Sequence, residues 1–269
     1  MKHLQVMGLT ALLVLGFSGA LLAQFPRPGD PFFDALRELH RSNPDREILE
    51  LLLHPDYRRE IQTEIELTDD DWGEFSSKLD SARVVLQELR DKYRQSPATS
   101  KEDVKVELQA ALEPVQLEAF QLLESKANLD RLLGIYVQLK GASSASSDKV
   151  AAKIGLSGEA LEAFRAAKSR KWSELMNESR DRMQSAVRSS ERNDKIHAIF
   201  ANAERELERY LVHQLDDDQN EKLSALKGEE FDGLDRIRKA LPPRRGSGRP
   251  RGGRSGDGPP GPPRHEGER

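Results

Sequence analysis

The sequence predicts an all-α protein: elongated helical hairpins or a bundle derived from a tandem duplication, followed by a disordered C-terminal tail. Three observations lead there. Apolar residues recur at spacings of three and four along most of the chain, and no run alternates between turn formers as a half-buried strand would. No glycine or proline occurs between Glu159 and Gln214, a stretch that would extend about 80 Å as one helix. With 33% charged and 6% aromatic residues, the core is expected to be thin and rich in leucine and alanine, with many charges on solvated faces.

Residues 1–23 read as an export signal. Lys2 and His3 give a basic start, residues 4–15 form an apolar run, and Ser18, Gly19, Ala20 and Ala23 supply small residues for cleavage after Ala20 or Ala23. A retained anchor is the alternative, but the run falls short of the roughly 20 residues a span needs. The mature chain is therefore expected to be periplasmic or extracellular, with no transmembrane span. The absence of cysteine excludes disulfides, thiolate metal sites, a cysteine nucleophile and a lipoprotein anchor.

Residues 24–31, "QFPRPGDP", carry three prolines and predict an extended lead-in. A first helical unit is expected over 32–140. It opens with Phe33, Leu36 and Leu39, then a helix with Asn43 or Ser42 as cap, Pro44 in its first turn, and Ile48, Leu49, Leu52 and Leu53 on one face. Tyr57, Ile61 and Ile65 follow at fours. A long helix then carries Phe75, Leu79, Val84, Leu86 and Leu89. Ser100 restarts a helix with Val104, Val106, Leu108 and Leu112, and another is expected from Pro114 to Leu139. Residues 141–148 read as a small-residue linker. The second unit spans 149–240, with a break expected at "RSSERND", residues 188–194, before Ile196, Ile199, Phe200, Ala203, Leu207 and Leu211 resume the stripe.

Four places share one local grammar, a leucine followed by a capping residue and, three positions later, a carboxylate or amide. They are Leu67-Thr68 with Asp71, Leu112-Glu113 with Gln116, Leu156-Ser157, which lacks the last element, and Leu215-Asp216 with Gln219. Each predicts a helix start, where a side-chain oxygen accepts from a free backbone N–H and the third residue reaches back. Ile61, Ile65, Leu67, Thr68, Trp72 and Phe75 align on Val150, Ile154, Leu156, Ser157, Leu161 and Phe164, 89 residues on. Leu108, Leu112, Gln116, Phe120 and Leu123 align on Leu211, Leu215, Gln219, Leu223 and Leu226, 103 residues on, which implies an insertion in the second copy. The aspartate triplets 69–71 and 216–218 then read as first-turn acids favoured by the helix dipole. They lack the alternating ligands, turn glycine and distal glutamate of a calcium loop.

Leu-Thr-x-x-Gln sites on long helices in an exported, cysteine-free chain resemble the LTxxQ family, the Spy and CpxP group of periplasmic stress proteins, in pattern over roughly residues 48–233. Leu67-Thr68-x-x-Asp71 and Leu215-Asp216-x-x-Gln219 are the nearest matches, and no copy is intact. The resemblance implies helical hairpins, often dimeric, acting as ATP-independent chaperones or inhibitors of sensor kinases, with zinc bound by related proteins. This chain is doubled relative to those members, so one chain would present what two subunits present there; a homodimer stays an alternative.

No catalytic, cofactor-binding or metal-binding motif emerges. The six histidines include no pair at i, i+4, and the Gly-x-Ser-x-Gly-like strings fall in the leader or the tail. Residues 241–269 hold eight glycines, seven prolines and seven arginines against three acids, a tail of +4 on a body of about −9. Arg244, Arg245, Arg249, Arg251 and Arg254 are candidate anion-binding residues. Export and the lack of interleaved aromatics argue against nucleic acid and for an anionic polymer or lipid surface. The function expected is a non-enzymatic binding protein for protein clients or an envelope partner. The alternatives are a structural envelope component docking through its tail and a metal-responsive protein.

Overall fold

The computed structural model describes residues 30–95, 100–187 and 192–240. The expected signal segment, most of the lead-in and the arginine-rich tail lie outside these residues. Among the described residues twelve α-helices and one 3-10 helix succeed one another without a strand, so the chain is all-α.

Helix α1, Pro31–Ser42, begins with proline at its first position and with the Asp30 carboxylate accepting from the Phe32 N–H at 3.0 Å. It presents Phe32, Phe33, Leu36 and Leu39 on a buried face. Helix α2, Pro44–Leu53, is buried nearly all round, through Ile48, Leu49, Leu51, Leu52 and Leu53 and also through Asp45 and Arg46. Asn43 precedes it without capping it. After α3, Arg58–Glu64, the chain turns into α4, Asp69–Gln95, which pairs with α5, Lys101–Lys126. The ion pairs Lys92–Glu107 and Lys78–Glu118 fix the two as an antiparallel hairpin. Ser100 caps α5 by accepting from the Asp103 N–H. Asn128 caps α6, Leu129–Lys140, by accepting from the Arg131 N–H. The single helix expected over 114–139 is thus split at Ala127 and Asn128.

The second half repeats this plan. Helix α7, Asp148–Ile154, turns into α8, Gly158–Glu178, which continues through a bend at Ser179 into α9, Arg180–Val187. The partner helix α10, Arg192–Val212, packs on both, so the chain reverses where the break was expected. Helix α11, Asp217–Lys227, and α12, Leu234–Ala240, complete the order.

The two halves share one element of backbone geometry. At the end of α3, Glu66 has φ +59°, and the Leu67 N–H donates to the Gln62 carbonyl at 2.9 Å. At the end of α7, Gly155 has φ +76°, and the Leu156 N–H donates to the Ala151 carbonyl at 2.9 Å. These are two copies of one helix-closing turn, with a left-handed residue followed by a buried leucine. The second correspondence differs from the expected one. Leu112-Glu113-Pro114 lies inside α5, so Glu113 caps nothing. The counterpart of the Asp216 cap is Asn128, 88 residues earlier, and no insertion is needed. Helix α5 passes through Pro114, despite a cost of about 3 kcal/mol, because Val104, Leu108, Ala119 and Leu123 keep one buried stripe running past it.

The segment expected as a linker is a buried strap. Gly141 (φ +57°) closes α6, and the 3-10 helix Gly141–Ser146 follows, with Ala142, Ser144, Ala145 and Ser146 all buried. Small side chains are required because helices approach on several sides. The Ala142 N–H donates to both Glu208 carboxylate oxygens at 2.8 and 2.9 Å, and Lys168 donates to the Ser143 carbonyl and the Ser146 hydroxyl.

Both halves contribute to the main core, from α2 and α3 through the roots of the hairpins to α11 and α12. At Gly134 the backbones come close, since a Cβ there would stand 2.6 Å from the Leu226 carbonyl oxygen. A second core lies at the far end of the first hairpin. There α1 covers Leu86, Leu89, Tyr93, Val104 and Leu108.

Candidate binding surfaces

The four sequence-level sites have different fates. Thr68 accepts from the Asp71 N–H at 3.1 Å, and its hydroxyl donates to the Asp71 carboxylate. Asp216 accepts from the Gln219 N–H at 2.8 Å while the Gln219 side chain accepts from the Asp216 N–H at 3.1 Å, a reciprocal capping box. Ser157 stands at the start of α8 and makes no side-chain cap hydrogen bond. Gln116, inside α5, exchanges hydrogen bonds with the Asn43 amide at 2.8 and 3.1 Å, tying α5 to the start of α2. Leu67, Leu156 and Leu215 are buried, and Leu112 is half-buried against both cores. The tail arginines 244–254 lie outside the described residues.

The aspartate triplets occupy the first turns of α4 and α11. Asp71 stands 3.8 Å from Lys126, and Asp218 pairs with Lys222. Among the described residues no group of three or more His, Cys, Asp or Glu side chains is arranged to hold a metal ion. His54 stacks on Tyr57 with centroids 4.3 Å apart, while His197 and His213 are exposed.

A polar seam along α2 was not anticipated. The Asp45 carboxylate, buried between the halves, accepts from the Ser147 hydroxyl and, at 3.3 Å, from the Lys149 N–H. Ser147 in turn caps α7 by accepting from the Val150 N–H. Burial pushes the Asp45 pKa up, and these hydrogen bonds oppose the shift. One turn on, burial pushes Glu50 up to about 7, against the attraction of Arg46, whose Nε is 3.5 Å away. Glu47 accepts from Lys140 at 2.8 Å and from the Tyr136 hydroxyl at 3.2 Å. The signal for this seam was present in "PDREILELLL": charged residues within a helix that is otherwise apolar on every side.

Two surfaces leave apolar groups in contact with solvent. The first is the outer face of α5, where Val106 is 68% and Leu117 55% exposed. Eleven residues, close to three turns, separate them, so they share a face with Ala110 and Glu113 and stand opposite the buried Leu108. Val84, 58% exposed, faces outward on α4. Val84 and Val106 are among the apolar residues these helices carry in sequence, yet the core faces of α4 and α5 are filled by their neighbours Ala82, Leu86, Val104 and Leu108.

The second surface is the far half of the second hairpin. Trp172, Met176, Met183, Ile196, Ile199 and Phe200 are all half-buried there, with Trp172 stacked on Phe200 at 6.4 Å. Sequence reading placed Ile196, Ile199 and Phe200 on an apolar stripe but had no means of showing that it is only partly covered. No protein-family model, curated protein or solved structure matches the chain.

Proposed function

We propose that this chain is an exported, non-enzymatic helical binding protein, chaperone-like or stress-sensing in the manner of the LTxxQ group. It holds protein clients or an envelope partner against exposed apolar helix faces. The observation that carries this reading is the Val106–Leu117 face of α5: large apolar side chains stand in water on a helix whose other exposed positions are mostly charged or amide. Such a surface gains free energy when covered.

The test is aggregation of a reduced model substrate, followed by light scattering without nucleotide. Near-stoichiometric protein should suppress scattering, and a Val106→Asp, Leu117→Asp double variant, both changes being on the surface, should lose most of that effect. No suppression at about tenfold excess would remove the reading.

The charge asymmetry favours a second reading, a structural envelope component that docks on an anionic polymer through Arg244, Arg245, Arg249, Arg251 and Arg254. It predicts salt-sensitive retention on an acidic matrix that disappears when residues 241–269 are deleted. Equal retention of the shortened protein would eliminate it.

A further inference from the structure

Helix α1 packs apart from the rest of the chain. Its apolar face meets Leu86, Leu89, Tyr93, Val104 and Leu108 of the first hairpin in a core of their own, with the half-buried Leu112 bordering both this core and the main one. A helix of twelve residues is too short to persist alone in water. Helix α1 is therefore helical because it is seated, and leaving the seat and unwinding are one event.

The seat is a groove with a charged rim. Phe32 packs beside Tyr93 with ring centres 6.3 Å apart, and the Arg90 guanidinium lies 5.4 Å from the centre of the Phe33 ring. Lys101 and Lys105, on successive turns of α5, converge on Glu38 and hold its carboxyl well below the usual carboxylate range. These holds join side chains, not backbones. The hinge is separate from them. Asn43 stands between α1 and α2 in an extended conformation, φ −117° and ψ 92°, because Pro44 keeps the residue before it out of the helix. Its amide is tied to Gln116 of α5 by two hydrogen bonds, so a swing of α1 about Asn43 leaves α2 and the main core in place.

We infer that α1 is a displaceable lid, and that the groove beneath it, with Lys101 and Lys105 at its rim, receives an amphipathic helix of a partner protein in its place. That helix carries what α1 carries: aromatic and aliphatic residues at i, i+1, i+4 and i+7 and a carboxylate at i+6. The groove already selects this chemistry from the chain itself. The lid lowers the partner's affinity by the fraction of time the groove is open, so the apolar surface stays covered until a matching helix competes for it. Val104 and Leu108 lie on the face of α5 opposite Val106 and Leu117. The groove therefore does not depend on what the Val106–Leu117 face binds.

The probe is a fluorescently labelled synthetic peptide with the sequence of residues 30–43, titrated into the full chain and followed by anisotropy. Leu36→Asp in the chain's own α1 alters the lid and leaves the groove residues unchanged. It should raise the peptide's affinity at least about tenfold, whereas a fixed structural helix would give no gain. Helicity of the variant is checked by circular dichroism. A peptide with Glu38→Lys should bind the Leu36→Asp chain more weakly and with less dependence on salt. In the unmodified chain, hydrogen exchange should show the α1 amides opening together, well before those of α2, which lies in the main core. Equal peptide affinity for the two chains, equal binding of the charge-reversed peptide, or exchange of α1 and α2 in a single global step would overturn the inference. So would a dimer that the unmodified chain forms on concentration and Leu36→Asp abolishes, because the helix displacing α1 would then be the α1 of a second copy.

Discussion

Between α3 and α4 the left-handed turn position is held by Glu66, and between α7 and α8 it is held by Gly155, with φ +59° and +76°. A glutamate in that region costs about 1 kcal/mol that glycine avoids, yet the same turn forms. The turn is therefore imposed from either side, by Ile65 and Leu67 in one copy and Ile154 and Leu156 in the other, all buried in the main core. The caps show the reverse asymmetry: Thr68 satisfies a backbone N–H, whereas Ser157 does not. The far ends differ most, since the first hairpin is closed by α1 and the second stands half-open. Core packing holds the shared plan, and local chemistry differs around it.

The largest expected effect tests the difference between the far ends. Leu36→Ala removes a side chain 3% exposed from the seal over the first hairpin and should cost about 2–5 kcal/mol in denaturant unfolding. Ile199→Ala, on the half-open face, should cost no more than about 1 kcal/mol. Comparable losses would mean that both ends are covered alike. Next comes the joint between the halves. Gly134→Ala drives a methyl group against the Leu226 carbonyl and should cost about 1–3 kcal/mol, while its exposed counterpart Lys222→Ala should stay within about 0.5 kcal/mol.

A third test isolates the polar seam along α2. Glu50 is pushed up to about 7 from 4.5, chiefly by burial, with Arg46 opposing. A carboxyl whose folded value lies above its unfolded one favours folding when protonated, so the melting temperature should rise as pH falls from about 7 toward 4.5. Buried Asp45, also raised, acts in the same direction. Glu50→Gln should flatten that slope, and an unchanged slope would place its origin elsewhere. The smallest effects separate the two turns. Glu66→Gly should stabilise by about 0.5–1 kcal/mol and Gly155→Ala destabilise by about 1 kcal/mol. Thr68→Ala should cost about 1 kcal/mol, and Ser157→Ala close to nothing.

Much of this plan is legible in the residues. The apolar spacing marks the helices, Leu-Thr and Leu-Asp mark the starts of α4 and α11, and the gap in the apolar pattern at 188–194 marks the reversal between α9 and α10. The copy register was misread for a physical reason: shifting by fifteen residues moves a helix about four turns, so a leucine stripe aligns nearly as well on the wrong partner as on the right one. Pro114 suggested a helix start because the compensation for its lost hydrogen bond comes from packing along all of α5, beyond any local window. The serines and alanines of 141–148 have the composition of an open connection, and only the crowding of neighbouring helices turns them into a buried strap. Among the surface residues, nothing local separates the exposed Val106 from the buried Val104.

Asp45 and Ser147 sit about a hundred positions apart in sequence and meet inside the protein. During synthesis the carboxylate emerges long before the hydroxyl and the Lys149 amide that answer it, so the leading portion carries an unmatched anion until α7 arrives. Produced as two separate polypeptides, split near residue 140, each portion would be left with half of this contact and should regain its structure only by finding the other.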